Sequence, residues 1–404
     1  MEGLSGDAEV LGGESSIFPS YRMVEHHPFH SQHVSQPPHP KPRHSSPRTS
    51  NEASAIIPPM KLSELGEFGL INLIRNTSAR YQNPKCTPWQ QVLIGIGDDA
   101  AAWKGSNRIQ LATTDTLVQD IHFDLRTISW EELGWKALAV NLSDIAAMGG
   151  IPKYALVALS LPGELEVTDF SKFINSMMHL AAEFGIAIVG GNITAAPNVV
   201  ITITIIGCSK GKAILKRSTA SPGEQIAVTG YLGLSAAGLE MLKGKTISNP
   251  EVASILRQAH LKPVPRVKEG QILIQQGIRT AIDISDGLAA DLDHICESSK
   301  VYARINIEQV PIHPAVRANF PNYQELALCG GEDYELLFTG DEACIARAKH
   351  ALNCPVTVIG NITEEKLPTR VAVVDNKGNI IPYKKGGWEH FKTNTRSLAS
   401  WESS

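Results

Sequence analysis

Residues 136–149 read KALAVNLSDIAAMG, within a run from Ser129 whose apolar residues recur at helical spacing. Trp135, Leu138, Leu142 and Ile145 fall on one face, the pattern of a helix with a buried side. Ser129 followed by Glu132 is a capping-box pair and marks the start. Gly149-Gly150, with Pro152 beyond, marks the stop. Asp144 lies inside this helix among Leu142, Ile145 and Ala146. Aspartate has poor helix propensity and its charge is costly in an apolar setting, so its place here points to chemistry rather than to folding.

Outward from this helix the chain alternates. Upstream, Leu62–Arg75 predicts a helix, and Val92–Ile96 and Ile109–Ala112 predict strands. Downstream, Tyr154–Leu161, Ile186–Val189 and the β-branched run Val199–Gly207 predict strands, with a helix at Thr168–Phe184 closed by Gly185. After a break near residues 208–216 the alternation restarts. Gln225–Thr229, Thr280–Ile284, Tyr334–Thr339, Val356–Ile359, Arg370–Val374 and Ile380–Tyr383 predict strands. Ser235–Leu242, two segments flanking HLKPVPR at 260–266, Leu288–Ser298 and Asp341–Ala351 predict helices. The expected fold class is α/β (α+β), in two domains over residues 60–208 and 209–392, with a C-terminal tail at 393–404.

Residues 1–59 hold six of the 13 histidines and nine of the 24 prolines, without apolar periodicity. Such a stretch buries too little surface to offset its ordering entropy, so a disordered tail is expected, with Met60 opening the folded part. Its acidic residues (Glu2, Asp7, Glu9, Glu14) do not suit a transit peptide. The net charge of −4 over 404 residues gives no footprint for nucleic acid or an anionic membrane. No apolar run is long enough to span a bilayer. Six cysteines without a C-x-x-C pair fit a reducing, cytoplasmic setting.

Acidic residues gather at predicted strand and helix ends: Gly97-Asp98-Asp99, Thr113-Thr114-Asp115, Asn141-Leu142-Ser143-Asp144, Asp283-Ile284-Ser285-Asp286-Gly287 and Gly330-Gly331-Glu332-Asp333. Carboxylates brought together repel one another and call for a cation. Oxygen ligands without thiolates suit a hard ion such as Mg2+, which commonly bridges carboxylates to phosphates. The P-loop pattern and the protein-kinase motif set are both absent from the sequence.

These stretches, in this order and spacing, resemble the bacterial thiamine-monophosphate kinases, a family of the aminoimidazole ribonucleotide synthetase-like superfamily. The resemblance spans residues 60–392. It rests on GIGDDAA at 95–101, TTDTLVQDIHF at 113–123, KALAVNLSDIAAMG at 136–149, GGNIT at 190–194, KRSTASPGE at 216–224, HLKPVPR at 260–266, AIDISDGL at 281–288 and GGEDYELLF at 330–338. It implies ATP-dependent phosphorylation of thiamine monophosphate with Mg2+, in a homodimer. Each N-terminal domain would carry a mostly antiparallel sheet with helices on one face, the two sheets closing into a barrel. Asp99, Thr113, Thr114, Asp115, Asp144, Asp283 and Asp286 match metal contacts. Gly191, Arg217 and Ser285 match ATP contacts, and His122, Glu332 and Trp388 match contacts to thiamine monophosphate. Asn192 stands where the family usually has Asp, so it keeps an oxygen for metal or ATP but loses a charge.

Other readings remain at this point. One is a different ATP-dependent member of the superfamily, such as aminoimidazole ribonucleotide synthetase or selenophosphate synthetase. The latter expects a reactive cysteine near the start of the folded part, where Cys86 is the candidate. Another is a binding protein for thiamine phosphate and ATP that has lost turnover through Asn192. A third gives the tail a regulatory or scaffolding role.

Overall fold

The computed structural model describes residues 60–94, 102, 103, 105 and 107–383. The expectations for residues 1–59, for Asp99 and Trp388 and for residues 393–404 lie outside these. The described residues belong to one compact unit. In its first half come α1 (Leu62–Tyr81), α2 (Thr87–Gln91), β1 (Val92–Ile94), β2 (Ala102–Trp103), β3 (Gln110–Val118) and α3 (Trp130–Ala147). β4 (Gly150–Leu161), α4 (Val167–Glu183), β5 (Ala187–Ala195) and β6 (Val200–Ser209) complete it. The second half opens with β7 (Gln225–Thr229), α5 (Leu234–Leu242), α6 (Pro250–Leu261), α7 (Val267–Gln275), β8 (Thr280–Asp283) and α8 (Leu288–Ser299). It closes with β9 (Tyr302–Asn306), α9 (Pro314–Asn319), α10 (Tyr323–Cys329), β10 (Leu336–Gly340), α11 (Glu342–Ala351), β11 (Val356–Thr363) and β12 (Val371–Val374).

Strands β3, β6, β4 and β5 form one sheet in that order, antiparallel except for the β4–β5 pair. Strand β6 shows why one face is buried. Its side chains alternate, so Ile201, Ile203 and Ile205 lie in the core while Thr202 and Thr204 turn to the opposite, open face. On that open face Thr116 meets Thr202 at 2.9 Å, Thr204 donates to Thr114 at 3.0 Å, and Ser160 meets Thr194 at 3.0 Å. The second sheet has six strands in the order β12-β9-β11-β7-β10-β8, with only the β12–β9 pair parallel. The segment Ile380–Tyr383, expected to be a strand, makes only a bridge from Ile380 to Val374. Beside that bridge, the Ile381 N–H donates to the Val373 carbonyl at 2.8 Å. No helix among the described residues is long and apolar enough to cross a membrane.

Helix α3 joins the halves. The expected capping box forms: the Ser129 hydroxyl accepts from the Glu132 N–H, and the Ser129 N–H donates to the Glu132 carboxylate at 2.9 Å. Arg257 from α6 grips the same carboxylate with two bonds of 2.8 and 2.6 Å. One turn on, the Trp135 indole donates to the Pro263 carbonyl at 2.8 Å. The helix is buried on nearly every side, as expected of one packed between a sheet and a second layer.

Gly134 sets how closely α3 crosses α4. A Cβ there would stand 2.1 Å from the Phe173 carbonyl oxygen. Helix propensity alone favours Gly134→Ala by about 1 kcal/mol, but backbone atoms at that distance cannot yield without separating the helices. Overpacking wins, and Gly134→Ala is expected to lose about 3 kcal/mol. Urea denaturation checks this: the midpoint should fall with little change in slope.

Candidate active site

Asp144 occupies the last turn of α3, where the helix dipole already disfavours negative charge. The Thr113 hydroxyl on β3 donates to its carboxylate. Two residues along β3, on the same face, the Asp115 N–H donates to the side chain of Asn141 on α3 at 3.0 Å. Asp283 ends β8 in full burial and accepts the Ser143 hydroxyl at 2.7 Å. Three carboxylates from three elements thus face one region. Burial, then the charge of Asp144, pushes Asp115 up to about 6. Burial and then Asp144 push Asp283 upward as well. Burial raises Asp144 itself, against the opposing pull of Thr113 and Arg217.

A cavity of about 480 Å³ opens beside Asp144, within the range of small-molecule sites. Thr113, Asp144 and Ile145 line one side; Lys216, Arg217 and Ser218 line another. An acidic wall faces a basic lip.

The loop 285–287 is held from below. One oxygen of buried Asp291 accepts the backbone N–H groups of Ser285, Asp286 and Gly287 at 3.1, 3.1 and 3.0 Å. Burial, then Asp283 and Asp286, pushes Asp291 up to about 8. The potential ligand atoms of Asp286, Asp291 and His294 lie within 4.8 Å of one another.

The loop 330–335 is laced onto the same segment: the Glu332 N–H donates to the Ser285 carbonyl at 2.8 Å, and the Tyr334 N–H to the Ile284 carbonyl at 2.9 Å. Glu332 and Tyr334 both adopt positive φ, 65° and 52°, uncommon for side-chain-bearing residues and worth about 1–3 kcal/mol of strain each. The Glu332 carboxylate meets Lys136 Nζ of α3 at 2.9 Å and His260 Nδ1 of α6 at 3.5 Å. Burial would raise Glu332, but Lys136 and the two histidines His260 and His122 outweigh it and hold it below the usual range. The neighbouring His122 ring accepts the Val118 N–H on Nδ1 at 3.0 Å, which leaves the proton of the neutral ring on Nε2.

Of the residues singled out from sequence, Thr113, Asp115, Asp144, Asp283 and Arg217 come together around the acidic wall, and His122 and Glu332 approach each other nearby. Ser285 and Asp286 sit on the loop between these groups. The Thr114 side chain turns instead to the open face, where its hydroxyl donates to the Ile203 carbonyl at 3.1 Å. Gly191 and Asn192 lie on β5 at the far edge of the sheet from β3. Three strand spacings, roughly 14 Å, separate them from Asp115. A Cβ at Gly191, whose φ is 156°, would fall 1.8 Å from the Val157 carbonyl oxygen. Lys136, Ser143, His260 and Asp291 were missed in the sequence, though three of them lie inside stretches already quoted. The available signal was polar residues in helices with apolar neighbours on every side.

The N-terminal domain of AIR synthase related proteins matches residues 97–209, and the C-terminal domain of the same group matches residues 221–372. The thiamine-monophosphate kinase of Bacillus subtilis (strain 168) is 38% identical over 81% of this chain and 100% of its own. This chain therefore belongs to the thiamine-monophosphate kinase family. A crystal structure of thiamine-monophosphate kinase from Stenotrophomonas maltophilia K279a matches with TM-score 0.67 and 34% identity, over 80% of this chain and 99% of that one. AaThiL complexed with AMPPCP and TMP matches with TM-score 0.63 and 35% identity, over 82% and 99%.

Asp144→Asn removes one charge from this crowded wall and keeps an oxygen for the Thr113 hydroxyl. Turnover should fall by about 100-fold or more, on the order of 3 kcal/mol in the transition state. The melting temperature in metal-free buffer should not fall, because the substitution relieves repulsion. Near-normal rates with a sharply lower melting temperature would assign Asp144 a structural role instead.

Proposed function

We propose that this chain transfers the γ-phosphoryl group of ATP to the phosphate of thiamine monophosphate, giving thiamine diphosphate and ADP. The observation that carries the reading is the meeting of Asp115, Asp144 and Asp283 opposite Arg217, with Glu332 and His122 alongside. An acceptor phosphate oxygen forms the new bond to the γ-phosphorus as the bond to the β-bridging oxygen breaks. That electron pair leaves with ADP. The attacking oxygen is already anionic, so no nucleophilic side chain or general base is required. The work left to the protein is positioning and charge neutralisation.

The donor set fits Mg2+. Asp115, Asp144 and Asp283 offer only oxygen, and their raised affinity for protons is the mark of carboxylates short of a counter-ion. Asp99, Thr113, Thr114 and Asp286 complete the residues we assign to metal, Thr114 through its backbone rather than its side chain. Mg2+ bound there would neutralise charge on the transferring group. Arg217 would hold an ATP phosphate through its planar fork, with Ser285 beside it. His122, Glu332 and Trp388 would contact thiamine monophosphate. The reading fits a cytoplasmic location, where ATP is at hand.

Cys86 argues against the selenophosphate synthetase alternative. Its thiol donates to the Gly185 carbonyl at 3.1 Å, and burial raises its pKa, the opposite of an activated nucleophile. A panel of phosphorylated acceptors tests the proposal by ADP release. Thiamine monophosphate should give the highest kcat/KM; binding of thiamine monophosphate and ATP without ADP release would favour a non-catalytic binding protein.

We also infer a homodimer. Asn192 and Gly191 reach a nucleotide at Asp144 only if another copy supplies them, since their own strand lies across the sheet from β3. The uncovered threonine-lined face is where two sheets would close. Sedimentation should report a mass of two chains, and dilution to monomer should abolish activity. Full activity as a monomer would remove residues 191 and 192 from the site.

A further inference from the structure

Lys136 is among the largest fully buried side chains of the described residues, with 1% of its surface exposed. It rises from the first half of α3 and ends on Glu332 at 2.9 Å. A lysine removed from water is costly unless paired and serves no packing purpose that leucine would not serve better. Its reach crosses between the two halves, from α3 to the loop that follows α10. The other Glu332 oxygen faces His260, whose Nδ1 lies 3.0 Å from the Ser235 hydroxyl. Burial, then the charge of Lys136, pushes His260 down to about 4. That ring is therefore neutral near pH 7, and the ionic hold on Glu332 comes from Lys136.

We propose that Lys136 is a positioning residue for the acceptor substrate: its buried ammonium fixes the Glu332 carboxylate, on a left-handed backbone, in the orientation that receives thiamine monophosphate. This rests on the proposed contact between Glu332 and that substrate. A carboxylate on a loop with two positive-φ residues has competing rotamers once its anchor is lost. The ion pair selects one and leaves the 29% of the side chain that remains exposed turned outward. Lys136 ends on Glu332 and not on Asp115, Asp144 or Asp283, so its influence should be confined to one substrate.

The test is a double-mutant cycle with Lys136→Met, Glu332→Gln and the pair, each checked for folding by circular dichroism and melting. Lys136→Met should raise the KM for thiamine monophosphate about tenfold or more and leave the KM for ATP within about twofold. In the Glu332→Gln background the same substitution should add less than about twofold, because the group it positions is already altered. Equal losses toward both substrates, or an undiminished effect in that background, would overturn the proposal while leaving the Glu332 contact standing. A silent Glu332→Gln would instead overturn the contact, and the proposal with it. Should Lys136→Met alone not fold, the pair decides. A folded double variant whose KM matches Glu332→Gln supports the role, and a further rise in KM or failure to fold defeats it.

Discussion

Helix α3 is buried along nearly its whole length, yet it carries Lys136, Asn141, Ser143 and Asp144. Each polar side chain on a buried helix must find a partner, and the partners here lie on three other segments. Glu332 lies beyond α10, the Asp115 N–H on β3, Asp283 at the end of β8, and Thr113 on β3 again. The requirement to satisfy one helix thus fixes four segments relative to one another. The site is the set of those partners.

The same requirement produces the site's electrostatics. Hydrogen bonds from Thr113 and Ser143 offset part of the burial of Asp144 and Asp283 but add no positive charge. Arg217 is too exposed to neutralise both. The carboxylates retain a deficit that a bound cation would meet, whereas Glu332, a short distance away, has its own buried lysine. Two kinds of carboxylate therefore coexist: one group kept hungry for a cation, one already satisfied and free to accept a hydrogen bond. Environment, rather than residue type, divides them.

Much of this was legible in the sequence. The capping box at Ser129, the helix up to Met148 and the alternation of Val199–Gly207 appear where spacing placed them, because each is a local preference that the tertiary structure endorses. Strand β3 runs on to Val118, beyond the expected Ala112, since the TTDTLV stretch reads as a polar motif although it alternates as a strand. The same period-2 rule separates Thr113 and Asp115 from Thr114, a distinction that motif matching ignores. Strand β9 and helices α2, α9 and α10 escaped notice. They are short, and their order comes from tertiary packing rather than from pattern. Lys136 escaped because a lysine near a helix start ordinarily faces water. The distance of Asn192 from Asp115 was hidden because strand order is not written locally.

The four-stranded sheet has one further property. Its outer strands are β3 and β5, and β3 presents nine residues without proline, lysine or a bulge. Edges of that kind invite pairing with whatever strand arrives. Asn141 blunts the middle of β3 by taking the outward N–H of Asp115 from the helix above, and paired glycines interrupt β5. For a newly made chain, these two devices stand between an open sheet edge and indiscriminate stacking.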